Sequence, residues 1–213
     1  MHIPMASKDI SKIKLSLLFL VIVVVTPVQA RSVKSLLEMR RENVVIQKWD
    51  LSCGAAALTT LLNYQYGDFV TEKEVAMSLM QREEYIKMPA LVNIRQGFSL
   101  LDLKRYVDSR GYKGVGYGSL TLDYLVKNAP MIVPINTHGY NHFVIFRGLQ
   151  ANRVLVADPA WGNRTILVNK FTKLWIDFPK IGRVGFQVKH DDLKQFEKHN
   201  LLKSRDRDYV MLR

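Results

Sequence analysis

Residues 53–66 read Cys53-Gly54-Ala55-Ala56-Ala57-Leu58-Thr59-Thr60-Leu61-Leu62-Asn63-Tyr64-Gln65-Tyr66, and the rest of the chain is organised around them. The run is rich in Ala and Leu, lacks Pro and stops at Gly67-Asp68, which predicts a buried helix with Cys53 at or near its first turn. Upstream, Ser32 to Asn43 reads as a short charged helix leading into extended Val44-Val45-Ile46. Downstream, Thr71-Glu72-Lys73-Glu74 has capping-box spacing, in which a hydroxyl and a carboxylate three residues apart satisfy each other's backbone amides; it opens a helix to about Gln81. Ser99 with Asp102 opens another, ending before Gly111, and a shorter helix follows from Leu122 to Lys127. After Pro130 the texture changes. Met131–Asn136, His142–Leu149, Arg153–Ala157, Thr165–Val168 and Arg183–Lys189 are rich in Val, Ile and Phe and are separated by Gly, Asn and Pro turns, as strands are. Helices first and an antiparallel sheet second make an α+β domain, with the N-terminal helices packed on the C-terminal sheet.

The chain has 213 residues, 48% hydrophobic and 23% charged, an ordinary globular composition with enough apolar residues for one core. A single Cys excludes an intrachain disulfide framework and any multi-thiolate zinc or iron–sulfur centre, and no other feature calls for a cofactor or metal. The net charge of +12 favours acidic surroundings without naming them. Lys8, Lys12 and Lys14 precede an apolar run from Leu15 to Val25, and Thr26-Pro27-Val28-Gln29-Ala30 closes the segment with small residues. That is the pattern of a secretory signal cleaved after Ala30. As a helix the run reaches roughly 16 Å, about half the hydrocarbon core of a bilayer. An uncleaved N-terminal anchor is the alternative, and the one route to membrane contact. Residues 1–30 carry three Lys and one Asp, so the mature chain keeps a charge of +10. The expected compartment is the periplasm, where nucleic acid is not a partner. The plan is then a signal over 1–30, one domain over 31–189, and a charged tail over 190–213 that is a peripheral helix or disordered.

An exported protein with one Cys carries a free thiol into an oxidising compartment, as an inert core residue, half of an intermolecular disulfide, or a nucleophile. The position of Cys53 favours the third: small residues follow it, leaving room for a substrate, and a helix N-terminus stabilises a thiolate. A nucleophilic Cys needs a base, and the base an orienting group. Of five His, His2 leaves with the signal and His190 and His199 lie in the tail, which leaves His138 and His142. A hairpin centred near residue 150 sets His142 almost opposite Asp158, suiting a carboxylate that orients an imidazole; His138 has no such acid. Gln47, six residues before Cys53, could present its amide beside the Cys53 backbone N–H as an oxyanion donor. Each position also has an ordinary reading: a strand-end His, an Asp opening an Asp-Pro turn, a solvent-facing Gln.

Taken together, Gln47-Lys48-Trp49-Asp50-Leu51-Ser52-Cys53-Gly54-Ala55-Ala56-Ala57-Leu58, then Asn141-His142-Phe143-Val144, then Asp158-Pro159-Ala160-Trp161-Gly162 resembles the bacteriocin-processing cysteine peptidases. These are papain-like leader peptidases that cut after a double-glycine motif, and the resemblance runs from about Val44 to Val188. It implies a papain-like fold, with Cys53 as nucleophile, His142 as general base and acid, Asp158 as its orienter and Gln47 completing the oxyanion hole. Two departures stand out. Family members commonly carry Asp directly before the nucleophile, where this chain has Ser52, with Asp50 two residues further back. Typical members are fused to a transporter with an ATPase domain, whereas this chain has no GxxxxGK[ST] loop and begins with an export signal. It therefore looks like the stand-alone exported members, especially the one associated with functional amyloid (Fap) secretion in Gram-negative bacteria. The implied partner is an exported peptide or protein, such as an amyloid subunit or a secretion component. A non-catalytic module of the same fold that escorts an export substrate is the alternative, and acyl transfer to an amine is a third reading.

Weaker signals carry less. Gly114-Val115-Gly116-Tyr117-Gly118 echoes a nucleotide-binding loop but follows a helix, so a Gly-rich strand or loop near a cleft is the better reading. Tyr117, Tyr140 and Trp161 are candidates for lining a peptide groove, with ordinary packing as the alternative.

Overall fold

The computed structural model describes His2, residues 34–190 and residues 200–212. The expected signal segment therefore lies outside the described residues, apart from His2. Among the described residues, no helix is long and apolar enough to cross a membrane.

Helix α1 (Leu36–Arg41) is shorter than its sequence pattern and starts at a Ser35–Glu38 capping box. Residues 44–48 run extended without joining the sheet; Val44 is buried, and Val45 N–H donates to Thr60 Oγ1 at 2.9 Å. Helix α2 (Cys53–Leu61) is buried at every residue, then widens into a π-type turn over Leu62–Tyr66 and ends at Gly67, whose φ of 69° suits a residue without Cβ. Both predicted capping boxes form: Thr71–Glu74 opens α3 (Glu72–Met80), and Ser99–Asp102 opens α6 (Leu100–Ser109). Two short helices between them, α4 (Glu83–Lys87) and α5 (Leu91–Ile94), were not legible; each is too short to show helical periodicity.

Strand β1 (Lys113–Tyr117) is the Gly-rich segment, and α7 (Leu122–Asn128) precedes β2 (Met131–Thr137). β3 (Tyr140–Gln150), β4 (Arg153–Asp158) and β5 (Gly162–Leu167) follow as a meander. The sequence reading ran the last of these through Val168, which instead starts helix α8 (Val168–Leu174). The expected strand over 183–189 is divided: β6 (Asp177–Phe178) and β7 (Gly182–Arg183) form a small ribbon, and β8 (Gly185–Lys189) enters the main sheet. The main sheet has the order β1-β8-β2-β3-β4-β5, and every pairing is antiparallel.

Alternation along the strands splits the core in two. Ile132, Ile145, Ala157 and Phe186 face a cluster with Leu58, Leu61, Leu103 and Val107 from α2 and α6. Met131, Val133, Val144, Phe146 and Val156 face a second cluster with Leu125 of α7 and with Phe171 and Trp175 in and beyond α8. The helices that follow the first strand thus cover the face opposite the N-terminal helices, adding a third layer to the expected two. Residues 200–212 also pack inward. Helix α9 (Asp206–Met211) lies there, Leu202, Tyr209 and Leu212 are buried, and Leu212 O accepts from Thr165 N–H and Oγ.

Candidate active site

The first turn of α2 meets the start of β3 through Gly54. A Cβ at that position would stand 3.3 Å from Phe143 Cδ2, so even one added carbon would press on the ring and a larger side chain would hold the helix off the strand. The neighbours of those two residues are Cys53 and His142. Cys53 is 2% exposed and His142 is 7% exposed, and the Cys53 sulfur acts on the imidazole strongly enough to raise its proton affinity.

His142 Nε2 lies 2.7 Å from Asp158 Oδ1. An ionised carboxylate only accepts, so Nε2 carries the proton of that bond and Nδ1 is left for the thiol. Asp158 is fully buried and its oxygens are all engaged: Oδ1 also accepts from Ala160 N–H at 2.9 Å, and Oδ2 from Arg164 Nε at 2.9 Å, with Nη2 at 2.7 Å. Burial pushes the Asp158 carboxyl up, but the bond from His142, its charge, that of Arg164 and the Ala160 amide outweigh it and hold the group below its usual range. For His142 burial again works against the charged form, yet the bonds to Asp158 and Cys53 and their charges raise it to about 9. The geometry favours an imidazolium wedged between a buried carboxylate and a sulfur.

Sequence reasoning missed Arg164 and the Ala160 amide. The signal for Arg164 was a basic residue two places into the returning strand of the β4–β5 hairpin. Val156 pairs with Arg164 and Asp158 with Gly162, so alternation puts Arg164 on the face of Asp158.

Gln47 is joined to this group through the backbone: its N–H donates to Pro159 O at 2.9 Å, beside Asp158. Its side-chain Nε2 donates to Trp49 O at 3.2 Å, and its buried Oε1 has no protein partner. Nε2 keeps a second proton. Tyr140 is 39% exposed; burial, with negative charge at Cys53 and Asp50, raises its phenol above the ordinary range, against a bond from the Leu51 backbone. Trp161 is exposed beyond Asp158. His138 occupies the β2–β3 turn with Gly139, at φ of 55° and 83°, as a two-residue primed turn requires. Among the described residues, no three His, Cys, Asp or Glu side chains are placed to hold a metal ion.

His142 and Phe143 border an apolar cleft of about 560 Å³. Gln96–Leu100, Gly116-Tyr117-Gly118, Pro134 and Ile181 line it as well. The Gly-rich strand is therefore a cleft wall, and Tyr117 lines it.

The sequence matches the Peptidase C39 family over residues 41–178, a stretch that holds all four candidate residues. The chain belongs to the Peptidase C39 family. Among curated relatives, the probable functional amyloid protease FapD of Pseudomonas aeruginosa is 38% identical over 155 residues, covering 72% of this chain and 66% of the relative. That of Pseudomonas fluorescens is 36% identical, covering 68% and 62%. The matched stretch thus spans a little under two thirds of each relative. A double glycine motif protease from an AMS/PCAT transporter, solved with its leader peptide, superposes with a TM-score of 0.54 at 24% identity, covering 71% of this chain and 95% of that one. The peptidase domain of Streptococcus ComA gives 0.54 at 16% identity, covering 70% and 98%. At these identities the two structures establish the fold: a C39 peptidase fold, mixed α and β, as the sequence pattern indicated. The family is one of cysteine peptidases, the enzyme class expected from Cys53.

Proposed function

We propose that this chain is a periplasmic cysteine endopeptidase that cleaves an exported protein during functional amyloid biogenesis or secretion. The observation that carries the reading is the buried His142–Asp158 pair, 2.7 Å apart, beside a thiol at the start of a buried helix that acts on the same imidazole. His142 Nδ1 takes the Cys53 proton, and the thiolate attacks the substrate's peptide carbonyl. The oxyanion is held by the Cys53 N–H and the spare Nε2 proton of Gln47. Asp158, fixed by Arg164, keeps the imidazolium oriented and stabilised while His142 passes its proton to the leaving amine. Water, deprotonated by His142, then attacks the thioester, and the thiol leaves with that proton.

The exported location rests on the Lys-led apolar segment over 1–30, read as a signal removed before a domain over 31–189 and a tail over 190–213. The amyloid assignment rests on the two FapD relatives. The cleft beside His142 suits a peptide segment with apolar side chains. The test is a host strain carrying Cys53→Ala, with periplasmic and secreted proteins compared by intact mass. At least one exported protein is expected to persist in uncut form. An unchanged set of mature termini would overturn the peptidase reading and favour a module that escorts its client without cutting it.

A further inference from the structure

Five described helices begin with Ser or Thr at the N-cap, and one of these residues does not cap. Ser35, Thr71, Ser99 and Thr121 sit at extended backbone angles, ψ 152–162°, and each accepts from the amide three residues on. Ser52, the N-cap of α2, has ψ 7° and makes no side-chain cap. An N-cap hydroxyl ordinarily takes up one of the free first-turn amides, worth about 1 kcal/mol. Here the hydroxyl is turned backward. It lies 2.6 Å from Glu72 Oε1 and 2.7 Å from Trp49 O, while Lys48 N–H meets both Glu72 oxygens at 3.1 Å. Glu72 is 4% exposed although it stands at the first position of α3, where a carboxylate would ordinarily face water. Leu51, between these anchors, adopts φ 65°, an unfavourable angle for a residue with a branched side chain that something must hold.

We propose that Glu72 is a positioning residue: by holding the Ser52 hydroxyl and the Lys48 amide, it withholds the cap from α2 and leaves the first-turn amides to the anion formed at Cys53. The idea rests on the reading of Cys53 as nucleophile. The same segment carries Gln47 at one end and Cys53 at the other, so a single buried carboxyl also fixes the spacing of the two oxyanion donors.

The probe is iodoacetamide, with Cys53 alkylation rates at pH 6.5 read by intact mass and folding followed by thermal melts. Glu72→Ala frees Ser52 to swing into the cap, and the rate is expected to fall about five-fold or more. Loss of a nearby carboxylate charge would by itself speed alkylation, so the direction separates the two effects. Glu72→Gln keeps an accepting oxygen and should restore the rate to within about two-fold of wild type. In the double variant Ser52→Ala/Glu72→Ala no hydroxyl is left to cap, and most of the lost rate should return. An undiminished rate in Glu72→Ala overturns the proposal, as does a double variant no faster than Glu72→Ala, which would mean that Glu72 merely braces the loop. A wild-type Cys53 no faster than a free thiol would overturn both this proposal and the nucleophile reading beneath it.

Discussion

His142 Nε2 lies 2.7 Å from Asp158 Oδ1 although the two residues do not face each other across their hairpin. β3 and β4 pair Gln150 with Arg153 and Gly148 with Leu155, then slip by one residue, so that Phe146 pairs with Val156 and Ile145 with Ala157. One step further sets Asp158 opposite Val144, with His142 the diagonal neighbour on the same face. Without the slip Asp158 would stand opposite Ile145, and alternation would turn His142 to the other face. The extra residue is Arg147, buried, with Nε donating to Leu202 O at 2.9 Å and Nη1 to Asn163 Oδ1 at 2.6 Å. A bulge five residues from His142, about 17 Å along the strand at roughly 3.4 Å per residue, thus sets the side-chain parity that joins base and orienter.

Arg147→Met is therefore expected to act twice. It leaves Leu202 O and the Asn163 amide without their buried donor, at about 2–4 kcal/mol, seen as a lower thermal midpoint. It also frees the register, and Cys53 alkylation should slow even below the melting range. A variant that melts early but alkylates at the wild-type rate would refute the register argument.

Asp158→Asn should keep the fold and lower kcat/KM by roughly 10²–10⁴, because an amide facing His142 no longer fixes its tautomer or stabilises the imidazolium. Arg164→Gln leaves Asp158 in place with Oδ2 unpinned, and a loss of about ten-fold is expected. Equal losses for the two would show that Arg164 does more than hold the carboxylate.

The pH profile follows from the direction of each shift. His142 moves on folding from its ordinary 6.5 to about 9, so its contribution to stability is complete below pH 6.5 and disappears as the pH rises through about 9. Asp158 is shifted downward from 3.8, so its contribution is present above 3.8 and is lost as the pH falls through its lower folded value. Thermal midpoints should decline between pH 7 and 10, and less in His142→Gln. Peptidase activity should fall above about pH 9, when His142 no longer has a proton for the leaving amine. A midpoint flat to pH 10 would contradict the raised imidazole.

Gly54→Val drives a branched side chain into Phe143, which a bare Cβ already meets at 3.3 Å. The helix must withdraw from β3, separating Cys53 from His142, and alkylation at pH 6.5 should fall ten-fold or more while Gly54→Ala stays nearer to wild type. Comparable rates in the two would mean that the approach is not set by this contact.

The local features of this chain are written in local chemistry. The capping boxes at Thr71 and Ser99, the Ala-rich helix at Cys53 and the first three strands after Pro130 appear where their residues predict them, because each depends on neighbours within a turn or on alternation. Cys53, His142 and Asp158 could be proposed as a set from the sequence, since one thiol, few candidate bases and one nearby acid left little else. What the sequence could not carry was the one-residue slip at Arg147, which depends on a carbonyl 55 residues away. Nor could it carry the turn of Ser52 toward Glu72, 20 residues on. Arg164, two places into a returning strand, becomes a partner of Asp158 only once a hairpin register is set. These are register and orientation, properties of how finished elements meet, and only the tertiary structure decides them.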